Sequence, residues 1–236
     1  MGRIFETRKH VMFARYARIS KAFNRVRKEI EIAVKAGGTD PKGNSKLRLA
    51  IQNAKSVNMP KDKVEAAIKR ASSKDTTGYQ EIVYEGYAPH GVAIMVECAT
   101  DNPTRTVANV RHLFRKHEGS LGNSGSIAFM FDKKALFKAS RANVNDLEEL
   151  ELDLIDYGLD DFTSDDEFVY VYVPFQEFGN MQKALEEKNM DIAATEIQYI
   201  PTNYKELDDE QKSEVNALIE ALEEDDDVQS VYNNMQ

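Results

Sequence analysis

Residues 92–131 constrain the fold more than any other stretch, because four structural signals follow one another there without a gap. An apolar run predicts a strand, residues that can cap a helix come next, and apolar side chains then recur at helical spacing. A glycine-rich segment separates that helix from a second apolar run. The predicted elements are a strand at 92–98, a helix capped by Asp101 or Asn102 with Pro103 in its first turn, a glycine loop at 119–125 and a strand at 126–131.

The region before this stretch predicts a bundle of three helices. We interpret residues 1–13 as a basic arm without a regular period, and residues 14–36 as a helix with one apolar stripe. Two glycines end that helix. Asn44 or Ser45 can cap a second helix, and Pro60 suits the first turn of a third. No single helix can bury its own stripe, so the three are expected to pack together.

The region after the stretch predicts a second α+β domain inserted into the first. Residues 133–201 follow the order β-α-β-β-α-β of a ferredoxin-like unit, with Asn145 capping its first helix. A final helix and strand are too few for a domain, but they complete the β-β-α-β set of the middle region. The predicted domains are a basic helical bundle at 1–77, a discontinuous middle α+β domain at 78–132 plus 202–236, and an inserted, acidic ferredoxin-like domain at 133–201.

Charge is distributed very unevenly along the chain. The net charge is -9, yet residues 1–77 hold 19 lysines and arginines against 7 aspartates and glutamates, whereas residues 135–236 hold 6 against 27. Such asymmetry predicts a polyanionic partner for the basic end, with a merely solvated basic surface as the alternative. The acidic inserted domain cannot favour phosphates. We expect it to orient the protein, to contact a basic partner or to keep the chain soluble.

Other composition signals exclude several classes of protein. No apolar run approaches the roughly 18 residues of a membrane helix, so no membrane partner is expected. Cys98 is the only cysteine, which excludes an intrachain disulfide and a cysteine-based zinc site. A reducing, cytoplasmic location fits this usage.

Lysines and arginines near the amino terminus are the main candidate site residues, because they neutralise phosphates without reading sequence. Arg18, Lys21, Arg25 and Lys28 repeat at helical spacing and predict one cationic face turned to solvent. Arg105 and Arg111 either extend that surface or pair with acids such as Glu81 and Glu85. The predicted nucleic-acid-binding residues are Arg3, Arg8, Lys9, Arg15, Arg18, Lys21, Arg25, Lys28, Lys46, Arg48, Lys55, Lys61, Arg70, Arg105 and Arg111.

Three other chemistries were weighed against structural roles. The glycine loop can present amides to a phosphate, as in KH domains, but a tight helix-to-strand connection explains it better. Asp101, Arg105 and His112 could serve as acid, anchor and base, yet capping suffices for Asp101, and no nucleophile elbow, Walker or HExxH motif is present. The acidic clusters at 165–167 and 225–227 are interpreted as solvated turns. The sequence therefore predicts no enzyme, cofactor, metal site or small-molecule substrate.

Residues 37–131 also carry a specific set of motifs. They include Gly37-Gly38, Asp40-Pro41, Asn58-Met59-Pro60-Lys61-Asp62, Tyr84-Glu85-Gly86-Tyr87, Val96-Glu97-Cys98, Thr100-Asp101-Asn102 and Leu121-Gly122. Through these motifs the chain resembles the YebC family, whose members are named as probable transcriptional regulators and include mitochondrial translational activators. Family members usually begin with a Gly-His-Ser-Lys-Trp-like segment, whereas this chain has Gly2-Arg3-Ile4-Phe5 and no tryptophan.

The resemblance implies both a fold and a function. The family architecture is a helical bundle followed by two α+β domains, of which the last is ferredoxin-like and inserted in the other. The implied function is DNA-binding control of transcription, and the alternative is a translation factor on ribosomal RNA. Phosphate contacts are common to both polymers, so the sequence leaves this choice open, along with the target and the oligomeric state.

Overall fold

The computed structural model describes residues 3–73, 78–142 and 144–236, with the backbone alone for residues 3–18. The chain divides into two compact units. The helical unit comprises the chain up to Ile82 together with Cys98–Thr106 and Glu224–Gln229. The sheet unit comprises Val83–Glu97, Val107–Glu223 and Ser230–Gln236. Residues 74–77, at the end of the predicted bundle region, lie outside the described residues.

Three helices form the first part of the helical unit: α1 (Arg3–Gly37), α2 (Ser45–Ser56) and α3 (Lys61–Ala71). The predicted arm at 1–13 is wrong from Arg3 onward, because that backbone already belongs to α1. No glycine or proline interrupts the chain between Arg3 and Ala36, and its residues are mostly good helix formers. Asn44 caps α2 as predicted, and its Oδ1 accepts from Leu47 N at 3.1 Å.

The bundle core comes from one stripe on each helix. On α1 it is formed by Val26, Ile30, Ala33 and Val34, of which Ile30 is fully buried. Leu47 and Ala50 contribute from α2, and Val64 and Ala67 from α3. Ile19, predicted for the same stripe, is instead exposed. The core therefore lies around the carboxyl half of α1.

The rest of the described chain contains eight strands and four further α-helices. Three single turns of 3-10 helix lie at Pro89–Gly91, Ala128–Met130 and Phe175–Glu177. Among the described residues no helix is long and apolar enough to cross a membrane. The elements are β1 (Gln80–Tyr87), β2 (Ala93–Thr100), α4 (Pro103–Lys116), β3 (Ser120–Leu121), β4 (Phe131–Ser140), α5 (Leu147–Ile155), β5 (Asp161–Ser164), β6 (Phe168–Pro174), α6 (Phe178–Glu187), β7 (Ile192–Pro201), α7 (Asp209–Glu224) and β8 (Val228–Asn233).

The first sheet has the strand order β3-β1-β2-β8. The predicted strand at 126–131 is wrong. The strand that follows α4 is β3, whose Ser120 and Leu121 pair antiparallel with Tyr87 and Gly86 of β1. Residues 128–130 form a 3-10 turn, and the next strand begins only at Phe131. The physical reason is that the Glu85 carboxylate, described below, occupies the amides that a strand would need for its ladder.

The second sheet has the order β5-β6-β4-β7, with antiparallel pairing throughout. The predicted succession β-α-β-β-α-β is present as β4-α5-β5-β6-α6-β7. A separate buried cluster that includes Phe137, Leu154 and Met181 packs the two helices on this sheet. The predicted cap Asn145 is wrong by one residue, because Asp146 Oδ1 accepts from Glu148 N and Glu149 N. The division into three domains stays a prediction.

Candidate nucleic-acid interface

Four of the predicted cations are exposed and lie on α2 and α3. Lys46 Nζ is 3.6 Å from Glu81, Lys61 Nζ is 3.7 Å from Glu65, and Arg70 Nε is 4.0 Å from Glu31. The pairs of Lys46 and Lys61 are exposed on both sides and contribute only about 0–1 kcal/mol, so a phosphate can replace their carboxylates with little loss. Glu31 is buried, so that argument does not extend to Arg70, although the guanidinium group itself is exposed. Lys55 is also exposed. These four predicted residues have the accessibility that a phosphate contact requires.

Four further lysines of the helical unit are exposed and were missed by the sequence reasoning. They are Lys35 in the last turn of α1, Lys42 in the loop before α2, and Lys63 and Lys69 on α3. The signal was available, because both α3 lysines lie off the apolar stripe of that helix. The exposed positive charge of this unit is therefore larger than predicted.

The predicted cations of α1 fall into three groups. The side chains of Arg3, Arg8, Lys9, Arg15 and Arg18 lie outside the described residues. Lys21 and Arg25 are half-buried. Lys28 is buried, with 5% of its surface exposed, so the prediction that it faces solvent beside the other three is wrong. The predicted cationic face of α1 therefore does not include Lys28.

Lys28 is buried because α1 is covered on a second side by chain segments distant in sequence. Its Nζ donates to Ala99 O at 2.8 Å, to Asp226 O at 2.7 Å and to Asp227 Oδ1 at 3.0 Å. The ammonium group has three hydrogens, and these three acceptors use all of them. The Tyr79 ring lies 5.0 Å from Nζ and adds a cation–π contact. Lys28 is therefore a structural cation.

Asp227 is the centre of this buried cluster. Its Oδ2 accepts from Arg105 Nη2 at 2.7 Å and from the hydroxyls of Thr106 and Thr100 at 2.9 and 3.2 Å. Its backbone oxygen accepts from Ala99 N. The residue is 5% exposed, so the predicted solvated turn at 225–227 is wrong for this member. One carboxylate thereby joins α1, the end of β2, the start of α4 and the turn before β8, all within the helical unit.

The pKa of Asp227 is held below its ordinary value by the balance of two influences. Burial is the larger single influence and raises the pKa, because it penalises the charged form. The hydrogen bonds from Arg105, Lys28 and Thr106 together outweigh burial and lower it. The carboxylate is therefore ionised at neutral pH and balances the charge of Lys28.

Two predicted arginines support the chain locally. Arg48 donates through Nη1 to Pro41 O and Lys42 O, which closes the loop between α1 and α2. Arg105 pairs through Nη2 with Asp101 Oδ1 at 3.0 Å and with Asp227, not with Glu81 or Glu85. The pKa of Arg105 is raised, mainly by the hydrogen bond to Asp227. Both guanidinium groups thus already have acceptors in the folded chain.

Arg111 differs from these two arginines, because it is exposed on α4 in the sheet unit. His112, once considered as a catalytic base, is also exposed and lies beside it on the same helix. Arg111 is therefore accessible to a ligand, but it belongs to the other unit from Lys46, Lys55 and Lys61.

A pocket of about 190 Å³ lies beside the Asp227 cluster. Its lining includes Arg27, Tyr79, Arg105 and the carboxylates of Asp101 and Asp226. With Asp227, three acidic side chains line this small space, and the three cations Arg27, Lys28 and Arg105 balance them. The lining therefore has no excess positive charge to attract a phosphate. Among the described residues, no group of three His, Cys, Asp or Glu side chains is placed to hold a metal ion.

The glycine loop binds a carboxylate of the chain itself. Glu85 is 5% exposed, and its carboxylate accepts from Gly125 N at 2.6 Å, Ile127 N at 2.8 Å and Ala128 N at 3.0 Å. Its backbone oxygen accepts from Gly122 N at 2.7 Å. The amides that a phosphate would use are occupied, which supports the predicted structural role of the loop over phosphate binding.

The residues that sequence reasoning missed share one property. Glu85, Thr106 and Asp227 are polar groups buried by partners far away in sequence, at separations of 40 residues or more for Glu85 and over 120 for the other two. Hydrophobic periodicity carries no information on such contacts. The sequence holds one weak signal for this cluster. Thr100 and Thr106 lie on either side of the residue that caps α4, and their hydroxyls can donate to a buried acceptor such as a carboxylate.

Two family domains match nearly the whole chain. Residues 3–74 match the domain described as TACO1/YebC protein N-terminal domain. Residues 79–235 match the domain described as TACO1/YebC second and third domain.

Individual relatives match from end to end. The chain is 50% identical over 240 residues to a probable transcriptional regulatory protein of Anaeromyxobacter dehalogenans, with 100% of both chains covered. It is 50% identical over 236 residues to a protein of the same description from Flavobacterium psychrophilum, again with 100% of both covered. The crystal structure of a conserved hypothetical protein from Aquifex aeolicus is similar at a TM-score of 0.78 and 37% identity, covering 92% of this chain and 90% of that one.

Proposed function

Because the chain belongs to the TACO1/YebC family, we propose that it is a non-enzymatic regulator of transcription that binds DNA through its helical unit. The observation that carries the proposal is the set of exposed cations on α2 and α3, namely Lys46, Lys55, Lys61 and Arg70. The names of the relatives direct the proposal toward transcription.

Electrostatics gives the binding mode. Each lysine or arginine that replaces a counterion at a phosphate makes the affinity depend on salt, with little dependence on base sequence. The acidic region beyond residue 134 repels the same polymer, so contact is expected on the helical unit. Arg111 adds an accessible cation on α4.

The domain organisation belongs to the same proposal. We place a basic bundle at 1–77, a middle domain at 78–132 plus 202–236, and an inserted ferredoxin-like domain at 133–201. The separate buried cluster of the second sheet supports the last of these boundaries. A cytoplasmic location is proposed with it, as expected for a chain with one cysteine, which is buried and forms no disulfide.

Crosslinking in cells, followed by sequencing of both the bound DNA and the bound RNA, tests the proposal. Enrichment of DNA fragments is expected. Recovery of ribosomal RNA without DNA would contradict the transcriptional assignment and would favour a translation factor. Recovery of neither polymer would contradict nucleic-acid binding itself.

A further inference from the structure

Phe129 is the most exposed large hydrophobic side chain in the described part of the chain, at 77% of its surface. It lies in the 3-10 turn between the glycine loop and β4. The apolar side chains on either side of it are buried: Ile127 is fully buried, and Phe131 is 6% exposed. The sequence around it therefore buries apolar side chains on both sides and leaves one aromatic ring in solvent.

The backbone that presents this ring is fixed on both sides. Before it, the Glu85 carboxylate accepts from Ile127 N and Ala128 N. After it, Met130 O accepts from Thr202 N at 2.9 Å and from Thr202 Oγ1 at 3.2 Å. Met130 N in turn donates to Ile127 O. A ring held on so constrained a turn loses little backbone freedom when it binds a partner.

The charge around Phe129 favours a polyanion. Residues 119–131 contain no charged side chain, although 30% of the whole chain is charged. The preceding helix α4 ends in cations, of which Arg111, Arg115 and Lys116 are exposed. The exposed acids Glu118 and Asp132 border the segment, but the three exposed cations of α4 outnumber them. Glu85, beneath the loop, is buried and hydrogen-bonded.

We propose that Phe129 stacks on an unpaired nucleobase of the nucleic acid that this protein binds. Aromatic rings stack on any base, because every base has a π-face, so the contact adds affinity without sequence selection. The inference rests on the proposed function. It assigns a stacking contact to the turn before β4 in the sheet unit, in addition to the phosphate contacts proposed for the helical unit.

Tryptophan fluorescence can test this contact directly, because the chain contains no tryptophan. Phe129→Trp introduces a single reporter at the proposed stacking position. We expect its fluorescence to be quenched when single-stranded oligothymidine or oligouridine is added. The oligonucleotide concentration at half-maximal quenching should equal the midpoint of binding to the native chain, measured by an independent assay. Quenching by oligothymidine indicates DNA as the source of the stacked base, and quenching by oligouridine indicates RNA.

Leu152→Trp provides the matched control. Leu152 is 67% exposed but lies on α5 among the exposed acids Glu148, Glu149 and Glu151, where a nucleic acid is not expected. Its reporter should be unaffected by either oligonucleotide. Phe129→Ala should weaken binding roughly 5- to 150-fold, as expected for one lost base stack, and leave the salt slope unchanged. Circular dichroism checks that this exposed truncation preserves the fold.

The outcomes separate the inference from the function on which it rests. If the native chain binds these oligonucleotides while Phe129→Trp is not quenched and Phe129→Ala retains its affinity, the stacking role is wrong and the proposed function stands. Quenching by duplex DNA alone would also overturn it, in favour of a wedge between paired bases. If the native chain binds no nucleic acid, both the function and the inference fail.

Discussion

Asp227 stabilises the fold only while its carboxylate is ionised. Its pKa is lowered in the folded chain, so its contribution is fully present above the ordinary value of 3.8 and is lost as the pH falls through the lower, folded value. We predict that the free energy of unfolding falls more steeply below about pH 4 in the native protein than in Asp227→Asn. Urea unfolding of both proteins at a series of pH values measures this difference.

The same substitution has a second effect at neutral pH. Asp227→Asn leaves the buried Lys28 ammonium without its counter-charge, and breaking a buried pair in this way costs about 3–5 kcal/mol. Asp226→Asn is the control, because the Asp226 side chain is exposed and only its backbone oxygen accepts from Lys28. Equal stability of the two variants would contradict the structural role assigned to Asp227.

Lys28 shows why residue roles are harder to predict than helices. The helical period separates Lys28 from the apolar stripe of α1, and that side of a lone bundle would face solvent, which is why its burial was not predicted. What covers it comes from Ala99 and Asp227, which lie 71 and 199 residues away. Contacts at such separations leave no periodic signal, whereas local ones such as the Asn44 cap do.

Among the elements, the turn between α4 and β4 depends most on a single side chain. The two carboxylate oxygens of Glu85 accept hydrogen bonds from three backbone amides. Glu85→Gln keeps one acceptor oxygen and places an NH2 group against the remaining amide or amides. We predict a loss of about 1–3 kcal/mol for the unsatisfied buried groups. Hydrogen exchange should quicken at the amides of Gly125, Ile127 and Ala128.

Glu81→Gln is the matched control for this element, since Glu81 is exposed and pairs with Lys46 at only 3.6 Å. Its effect on both stability and exchange should be small. Unchanged exchange at Gly125 in Glu85→Gln would show that something other than this carboxylate orders the loop.

Elements with strong local signals were predicted well. α4 follows Asn102, whose Oδ1 accepts from Arg105 N, and it ends before Gly119 as expected. The error at 126–131 has a specific cause, because an apolar run bounded by glycines fits a strand and a buried turn equally. The hydrogen bonds from this segment to Glu85, which lies 40 residues before Gly125 in the sequence, select the turn over the strand.

At the scale of the whole molecule, the proposed insertion can be removed. Ala135 and Ile197 are register partners on β4 and β7, so a short Asn-Gly turn can join them directly. This excision retains Phe131 and Tyr199, which belong to a cluster with Ala93 and Ile127. We predict that the shortened chain unfolds in one cooperative transition by calorimetry.

A longer excision is the control for that design. Removing residues 131–201 also deletes Phe131 and Tyr199 from the cluster and should reduce stability markedly. Loss of cooperative unfolding in the shorter excision would contradict the proposed boundary. The element order of this region was predictable, but these strand ends were not, because Tyr199 packs outside its own sheet cluster.

The central claim is that exposed cations of the helical unit bind phosphates. Replacing Lys46, Lys55, Lys61 and Arg70 together by glutamine removes four charges and keeps helix propensity. Replacing Lys183, Lys188, Lys205 and Lys212 by glutamine changes the net charge of the chain equally, within the acidic region. Only the first variant should lose nucleic-acid affinity.

The most direct test measures the affinity of both variants for a short duplex DNA and a single-stranded RNA across a series of salt concentrations. If all four residues contact phosphates, the slope of log affinity against log salt should become shallower by about 0.9 per contact on duplex DNA, roughly 3 to 4 units in all, and by about 0.7 each on single-stranded RNA. The control variant should retain the native slope. A folded helical-unit variant with native affinity and native slope would contradict the account.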